Sequence, residues 1–251
     1  MKTSSIPPRL STRAAFLLLG GFAALATVSC GAEAPSKEPR NPTPPAAPEV
    51  KRKQIGKDLF FEINGDERRV IASAAVVLRQ GQLEGLLCRK NTKEHEYILA
   101  TQADARQIHA ALVVAGAKPG SPVQFQPKFK PAHGTTIKVR LEYQKDGKTV
   151  TVSAQEWVRD FKTKKDLDID WVFAGSRLLP DPEDKTKPPF YLANQGDVIC
   201  LCNMDTAMLD LPVASPTALA DRNYEANTER IPPLDTKVEV IFEVLRDKKD
   251  K

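Results

Sequence analysis

The chain has 251 residues, of which 41% are hydrophobic and 27% are charged, a composition typical of a globular protein. Its 37 Lys and Arg residues exceed its 32 Asp and Glu residues and give a net charge of +5. Three of the basic residues, Lys2, Arg9 and Arg13, lie near the N-terminus, so the rest of the chain is closer to neutral. This weak net charge argues against a nucleic-acid partner, which requires a concentrated basic field.

The N-terminal segment has the layout of a secretory signal. An uncharged apolar run from Ala14 to Val28 follows the three basic residues. The run is shorter than the roughly 20 residues that a transmembrane helix needs. We therefore predict that residues 1–29 are a signal peptide.

Two cleavage positions compete at the end of this segment. A lipoprotein signal peptidase would cut before Cys30, whereas a general signal peptidase would cut after Ala24-Leu25-Ala26. Thr27 stands where lipoprotein signals usually carry Leu, but Cys30-Gly31 leads directly into a linker, as it does in anchored lipoproteins. The layout favours lipidation of Cys30, with simple secretion or an uncleaved anchor as the alternatives. Acyl chains on Cys30 would hold the protein on a bacterial membrane, facing the periplasm or the cell exterior.

The next segment, residues 30–53, is predicted to be a disordered stalk. It contains almost no large apolar residues, so it cannot bury enough surface to fold, and its prolines favour an extended polyproline II conformation. The prolines are Pro35, Pro39, Pro42, Pro44, Pro45 and Pro48. Residues 54–246 are then long enough for one globular domain, and residues 247–251 form a charged tail.

Most of the domain is predicted to be β-structure. Apolar and charged residues alternate from Ile137 to Tyr143, Asp146-Gly147 offers a tight turn, and the alternation resumes at Val150, which together predict a hairpin. In the segment 237–245, Val238, Val240, Phe242 and Val244 share one face. Further strands are predicted at 69–78, 83–88, 97–100, 123–125, 171–173, 191–193 and 198–202.

One helix is predicted between the strands. Thr101 can cap its start, Asp104 suits its first turn, Ile108 and Leu112 lie on one apolar face, and Gly116 ends it. These elements predict an α+β fold, a mostly antiparallel β-sheet with one helix packed on it.

The cysteines and one histidine are the candidates for chemistry. Cys200 and Cys202 lie two apart on a predicted strand and so share a face, and Cys88 could approach either one. His95 lies between two carboxylates, Glu94 and Glu96, that could orient its ring. Cys88, His95, Cys200 and Cys202 could together hold a metal ion or act in thiol redox chemistry. The alternatives are three buried inert thiols, or one disulfide, with His95 in an exposed charged turn.

Other motifs are incomplete or unspecific. The chain has no G-x-S-x-G and no H-E-x-x-H sequence. Trp157, Trp171 and Tyr191 could line a groove that binds or cleaves a glycan, although aromatic residues on strands more often belong to the core.

The run from Leu83 to Glu96, LEGLLCRKNTKEHE, resembles the YdjY-type domain of bacterial exported proteins, notably those of planctomycetes. The likeness continues through residues 115–120, 154–160, 171–176 and 207–212. Asn91 stands where the family motif is expected to have Gly, and Asn also reaches positive φ, so the turn should be kept. The resemblance implies a fold and an exported location rather than an activity.

The sequence thus favours a membrane-tethered, extracytoplasmic lipoprotein that serves as a non-enzymatic binding or structural module. A metal-binding or thiol-redox protein using Cys88 and His95, with Cys200 and Cys202, is the second hypothesis. A glycan-binding or glycan-cleaving domain is the third. The ligand and any cofactor are left open.

Overall fold

An 11-stranded sheet dominates the computed structural model, which describes residues 50–214 and 224–245. The predicted signal peptide, Cys30, residues 31–49 of the linker and the charged tail lie outside the described residues. The first strand starts at Lys51, inside the segment predicted to be a stalk. None of the helices in the described part has the length and apolar character needed to span a bilayer.

The described residues form seventeen strands and one α-helix. The strands of the first half are β1 (Lys51–Gly56), β2 (Leu59–Asn64), β3 (Glu67–Val76), β4 (Gly85–Arg89), β5 (Tyr97–Thr101), β6 (Pro119–Ser121), β7 (His133–Gly134) and β8 (Thr136–Lys145). The strands of the second half are β9 (Lys148–Ser153), β10 (Val158–Asp160), β11 (Trp171–Phe173), β12 (Leu178–Leu179), β13 (Phe190–Tyr191), β14 (Ile199–Cys200), β15 (Leu209–Asp210), β16 (Tyr224–Ala226) and β17 (Lys237–Val244). The helix is α1 (Ala105–Ala115), and two 3₁₀ turns lie at Ala154–Trp157 and Leu192–Gln195.

Eight of these strands close into a barrel in the order β3-β17-β8-β11-β15-β14-β4-β5. The ring is completed by pairing of β5 with β3, in which Thr101 lies opposite Ala74 and Leu99 opposite Val76. The β4–β5 and β14–β15 pairs are parallel, and the other pairs of the ring are antiparallel.

The predicted α+β fold, an antiparallel sheet with a helix packed on it, is therefore wrong. The protein is mostly β, its sheet closes on itself, and α1 is the single α-helix within residues 50–214 and 224–245. The alternation in β8 and β17 indicated the buried face of each of these two strands correctly. It could not indicate closure, because the ring joins strands that are not neighbours in the sequence, such as β3 with β17.

The barrel core is built from the alternating faces of its long strands. Val238, Val240 and Phe242 of β17 are buried in the main core, as the sequence predicted, and Val244 packs against it. Burying each large apolar side chain stabilises the fold by about 1.5–3 kcal/mol. The opposite face is charged, and there Arg140 of β8 donates to Glu243 of β17 at 3.0 Å.

The predicted hairpin is confirmed as β8–β9. Lys145 pairs with Lys148, which leaves a two-residue turn at Asp146 and Gly147. Both turn residues have positive φ, 51° and 73°, as a type I′ turn requires.

The predicted helix is confirmed, but its cap lies further along the chain. Asp104, not Thr101, is the N-cap, and its carboxylate accepts from the backbone N–H of Arg106. Thr101 is the last residue of β5, because the strand runs further than expected. Gly116 ends the helix with φ 105°, as predicted. The amide of Asn194 reinforces the start, since its Oδ1 accepts from Ala105 N at 2.8 Å.

The β1–β2 hairpin extends the sheet beyond the barrel. β2 pairs with β3, and β1 pairs with β2. β1 is therefore the end of the sheet, and no other strand of the described residues pairs with its outer edge.

Candidate functional site

The structure places the four residues that the sequence proposed as a metal or redox site in different surroundings. Cys88, Cys200 and Cys202 are buried thiols, and no disulfide joins any two of them. Strand β14 ends at Cys200, so Cys202 does not share a strand face with it, and Cys202 Sγ lies 3.7 Å from Leu83 O. The His95 side chain is 72% exposed, and its Nε2 lies 3.0 Å from a carboxylate oxygen of Glu96.

These four side chains do not assemble into a ligand set. Within residues 50–214 and 224–245, no group of three or more His, Cys, Asp or Glu side chains is placed to hold a metal ion. Burial raises the pKa of the Cys88 thiol to about 12. Burial also raises the pKa of Cys200, and the charges of Asp197 and Asp210 act in the same direction. Thiols with raised pKa values are poor nucleophiles near neutral pH.

The aromatic residues considered for glycan binding lie in the core. Trp157 and Trp171 are fully buried and Tyr191 is nearly so. The indole N–H of Trp171 donates to the carbonyl oxygen of Cys200 at 2.8 Å. These rings therefore pack inside the domain and do not line an open groove.

A buried polar cluster joins the T-K-E-H-E motif, residues 92–96, to the segment around the neighbouring strand β14. We name it the Asp197 cluster, and its members are Lys93, Tyr97, Asp197, Cys200 and Thr206. Asp197 Oδ1 accepts from Lys93 Nζ at 2.8 Å and from the Tyr97 hydroxyl at 2.9 Å. Asp197 Oδ2 accepts from the Thr206 hydroxyl at 2.5 Å. The Tyr97 hydroxyl also lies 3.5 Å from Cys200 Sγ.

The turn between β4 and β5 directs Lys93 inward and His95 outward. Asn91 has φ 62°, which confirms the expectation that this position needs positive φ. Its backbone N–H donates to Glu94 Oε1 at 3.0 Å, and Glu96 N donates to Lys93 O at 3.1 Å. The sequence pattern favoured His95 of the T-K-E-H-E motif, but Lys93 is the residue that reaches the cluster.

Gly85 makes room for the Tyr97 ring. Tyr97 pairs with Gly85 across the parallel β4–β5 strands. A Cβ at position 85 would lie 2.0 Å from a carbon of the Tyr97 ring and 2.6 Å from Ile199 O. Only glycine allows this approach, and it brings the Tyr97 hydroxyl to Asp197.

The electrostatics of the cluster are those of a satisfied ion pair. The Asp197 side chain is 3% exposed and that of Lys93 is 29% exposed. Burial lowers the pKa of Lys93, but its hydrogen bond to Asp197 and the charge of Asp197 outweigh this effect, so the pKa is raised. Burial likewise raises the pKa of the Tyr97 hydroxyl. Because both oxygens of Asp197 already accept from protein donors, the cluster acts as a structural junction between the motif turn and residues 197–206.

A second buried carboxyl lies beside the cluster, on β15. Burial raises the pKa of Asp210 to about 7, although hydrogen bonds from the backbone N–H groups of Leu211 and Met204 favour its charged form. The charge of Asp197 raises this pKa further. Asp210 is therefore the buried acid of this region whose charge changes near neutral pH.

An open groove lies on a different part of the molecule, between the β1–β2 hairpin and α1. We name it the hairpin groove, and its volume is about 810 Å³. Its sheet wall includes Lys51, Lys53, Ile55, Phe61 and Ile63. Lys51 pairs with Ile63 and Lys53 with Phe61, so these side chains project to the same face of the hairpin.

The helix wall of the groove is made by one side of α1. It includes Gln107, Ala110, Ala111 and Val114. Val114 is 63% exposed and Ile63, on the facing wall, is 41% exposed. Among the described residues that line the groove, three are basic and none is acidic. The groove therefore combines exposed apolar side chains with positive charge.

Sequence reasoning missed this groove because it assigned Lys51 to Lys53 to the stalk and left 59–64 unassigned. An indication was present. Leu59, Phe61 and Ile63 alternate along the chain and share one face in β2, and Asn64-Gly65 follows as a turn sequence.

Comparison with known proteins gives one finding. A family model of the YdjY domain matches residues 61–243, from within β2 to within β17. No curated protein and no solved structure matches the chain.

Proposed function

The chain belongs to the YdjY domain family, and we propose that it is a membrane-tethered, extracytoplasmic protein whose domain binds a partner in the hairpin groove and catalyses no reaction. The tether is lipidated Cys30, and the domain faces the periplasm or the cell exterior. The observation that carries the binding role is the hairpin groove, in which apolar side chains are exposed beside uncompensated basic ones.

The apolar exposure supports a binding role because it costs solvation free energy in the isolated domain. Monomeric proteins rarely leave contiguous apolar surface open, and such patches rimmed by polar groups mark interaction sites. Val114 and Ile63 face each other across a concavity, where a bound segment would bury both. The Asp197 cluster, by contrast, has its acceptors occupied, which supports a structural role for it.

A single labelling experiment tests both the compartment and the binding. We would place a cysteine in the groove by Val114→Cys and, as a matched control on the same helix, by Val113→Cys. Val113 is 45% exposed and is not a lining residue of the groove. Each variant would be treated with a membrane-impermeant maleimide, first in cells with the outer layer opened and then after purification of the full chain. The parent protein sets the baseline, because Cys88, Cys200 and Cys202 are buried.

The proposal expects both variants to label without lysis of the cytoplasmic membrane. It also expects Val114→Cys to label several-fold more slowly in cells than after purification, while Val113→Cys labels equally in both. Labelling that requires lysis would contradict the compartment, and equal rates for the groove variant would contradict the binding role. The Cys30→Ser variant should be lost from the membrane fraction, because it lacks the residue that carries the proposed tether.

A further inference from the structure

The outer edge of β1 and the hairpin groove form one continuous surface. β1 ends the sheet, and no strand of the described residues covers its outer backbone groups. Unpaired strand edges are templates for a further strand, and proteins usually blunt them. Resting on the proposed binding role, we propose that the partner is an extended acidic peptide segment that adds to β1 as a new strand and lays alternate side chains in the hairpin groove.

The side chains of β1 differ in how far they are already engaged. Arg52 is occupied, because its guanidinium pairs with Glu239 at 2.9 Å and lies over the Phe60 ring at 4.3 Å. Lys51 and Lys53, which line the groove, form no ion pair within the described part of the chain. Two ammonium groups, on lysines with one residue between them, therefore lie along an open strand edge without a carboxylate partner in the described part of the chain.

Lysine residues on an edge strand can also serve only to prevent aggregation. That explanation accounts for Lys51 and Lys53 but not for the apolar side chains beside them. If the lysines only prevented pairing with other chains, the exposure of Ile63 and Val114 on the same face would have no explanation. The combination of open edge, positive charge and apolar groove is what strand addition uses, with backbone hydrogen bonds for affinity and side-chain pockets for specificity.

Three other occupants fit less well. A bilayer surface is flat and cannot follow a concavity between a hairpin and a helix. The preceding linker carries six prolines between residues 35 and 48, and proline cannot donate to a strand pairing. A second copy pairing through β1 would bring Lys51 and Lys53 against like charges.

The register of β1 defines the chemistry of the partner. On the groove face, a paired strand would place alternate residues next to Lys51 and Lys53, and a further residue next to Ile55, where the register of β1 shifts between Gln54 and Gly56. The expected segment therefore carries two Asp or Glu residues with one residue between them, followed or preceded by an apolar residue. Direction along the edge decides which of the two orders applies.

The test measures binding of synthetic peptides to the purified full chain by fluorescence anisotropy. The probe is a capped, labelled acidic peptide made in both orders, TETETVT and TVTETET, one for each direction along the edge. One control is its charge-reversed analogue TKTKTVT, and another is the acidic peptide methylated at alternate backbone nitrogens on either edge. The protein variants are Lys51→Glu with Lys53→Glu, and the matched control Lys57→Glu, which changes an exposed lysine beyond the end of β1. Vesicles of anionic phospholipid form a separate arm.

The proposal expects the acidic peptide to bind, one of its methylated forms to lose binding, and the double variant to weaken binding by about tenfold or more. The double variant should in turn prefer the charge-reversed peptide, whereas Lys57→Glu should change little. Equal binding of both methylated forms, no change of preference on charge reversal, or binding of vesicles in place of peptide would overturn the proposal. Slower labelling of Val114→Cys in cells would stand in each case, so failure of the peptide proposal is distinguishable from failure of the binding role.

Discussion

The ammonium of Lys93 lies 2.8 Å from Oδ1 of Asp197, which precedes β14, the strand that pairs with β4. This contact fixes the turn between β4 and β5 against the segment that follows β13, and it identifies the lysine of the T-K-E-H-E motif as the structural residue. His95, two positions later, points to solvent.

Lys93→Met should destabilise the domain by about 2 kcal/mol, since it keeps the apolar stem but leaves the buried Asp197 without its counter-charge. The partial exposure of Lys93 keeps the cost below that of a fully buried pair. The measurement is the free energy of unfolding in urea. His95→Ala is the control and should change it by less than about 0.5 kcal/mol. A larger effect of His95→Ala than of Lys93→Met would refute this assignment.

Gly85→Ala should be more damaging than an ordinary surface substitution, because the added Cβ would lie 2.0 Å from the Tyr97 ring and 2.6 Å from a backbone oxygen. The ring must move, which breaks its hydrogen bond to Asp197, and we expect a loss of about 3 kcal/mol or more. Gly147→Ala is the comparison. Its Cβ would meet nothing within 4 Å, so only the strain of its positive φ, about 1 kcal/mol, should appear. The measurement is the free energy of unfolding of the two variants, by heat and by urea. Equal losses of this free energy would rule out the packing explanation.

Asp210 should make stability depend on pH in the neutral range. Its pKa is raised from 3.8 to about 7 in the folded state, mainly by burial. Between these values the native state holds a proton that the unfolded state releases, so this group's contribution to stability falls as the pH rises from about 4 to about 7 and is level above.

The check is the free energy of unfolding measured from pH 4 to 8. Asp210→Asn should remove the fall in the free energy of unfolding with rising pH, since an amide does not titrate. Asp168→Asn, at an exposed position, should keep this fall. A parent protein whose stability rises steadily across this range, with no difference in Asp210→Asn, would disprove the role of Asp210.

Sequence patterns predicted the elements that are determined by residues close together in the chain. The β8–β9 hairpin follows from alternation and a two-residue turn, and the end of α1 follows from Gly116. The closure of the barrel could not be predicted. It depends on β5 reaching β3 and on strands of two or three residues, such as β11, β14 and β15, that are too short to show a period.

The candidate sites were predicted only in part, for a related reason. Sequence spacing placed Cys88 and His95 near each other along the chain, but a turn decides which side chains of a motif point inward. Asn91 at positive φ sets that turn, and it turns Lys93 rather than His95 to the core. Asp197, its partner, lies about a hundred positions away, and nothing in its own neighbourhood indicates the pairing.

The pairing of β3 with β17 sets a condition on how the domain reaches its native state. Ala75 pairs with Lys237 and Arg69 with Glu243, so the first long strand of the ring is matched to the last one made. Contacts between such distant residues form slowly, because the intervening chain loses conformational entropy before these contacts stabilise the fold. Until β17 has emerged, β3 and β8 each lack a neighbour, and a chain cut short before residue 237 has no way to complete the ring. The closed ring can therefore form only after the residues of β17 have been made.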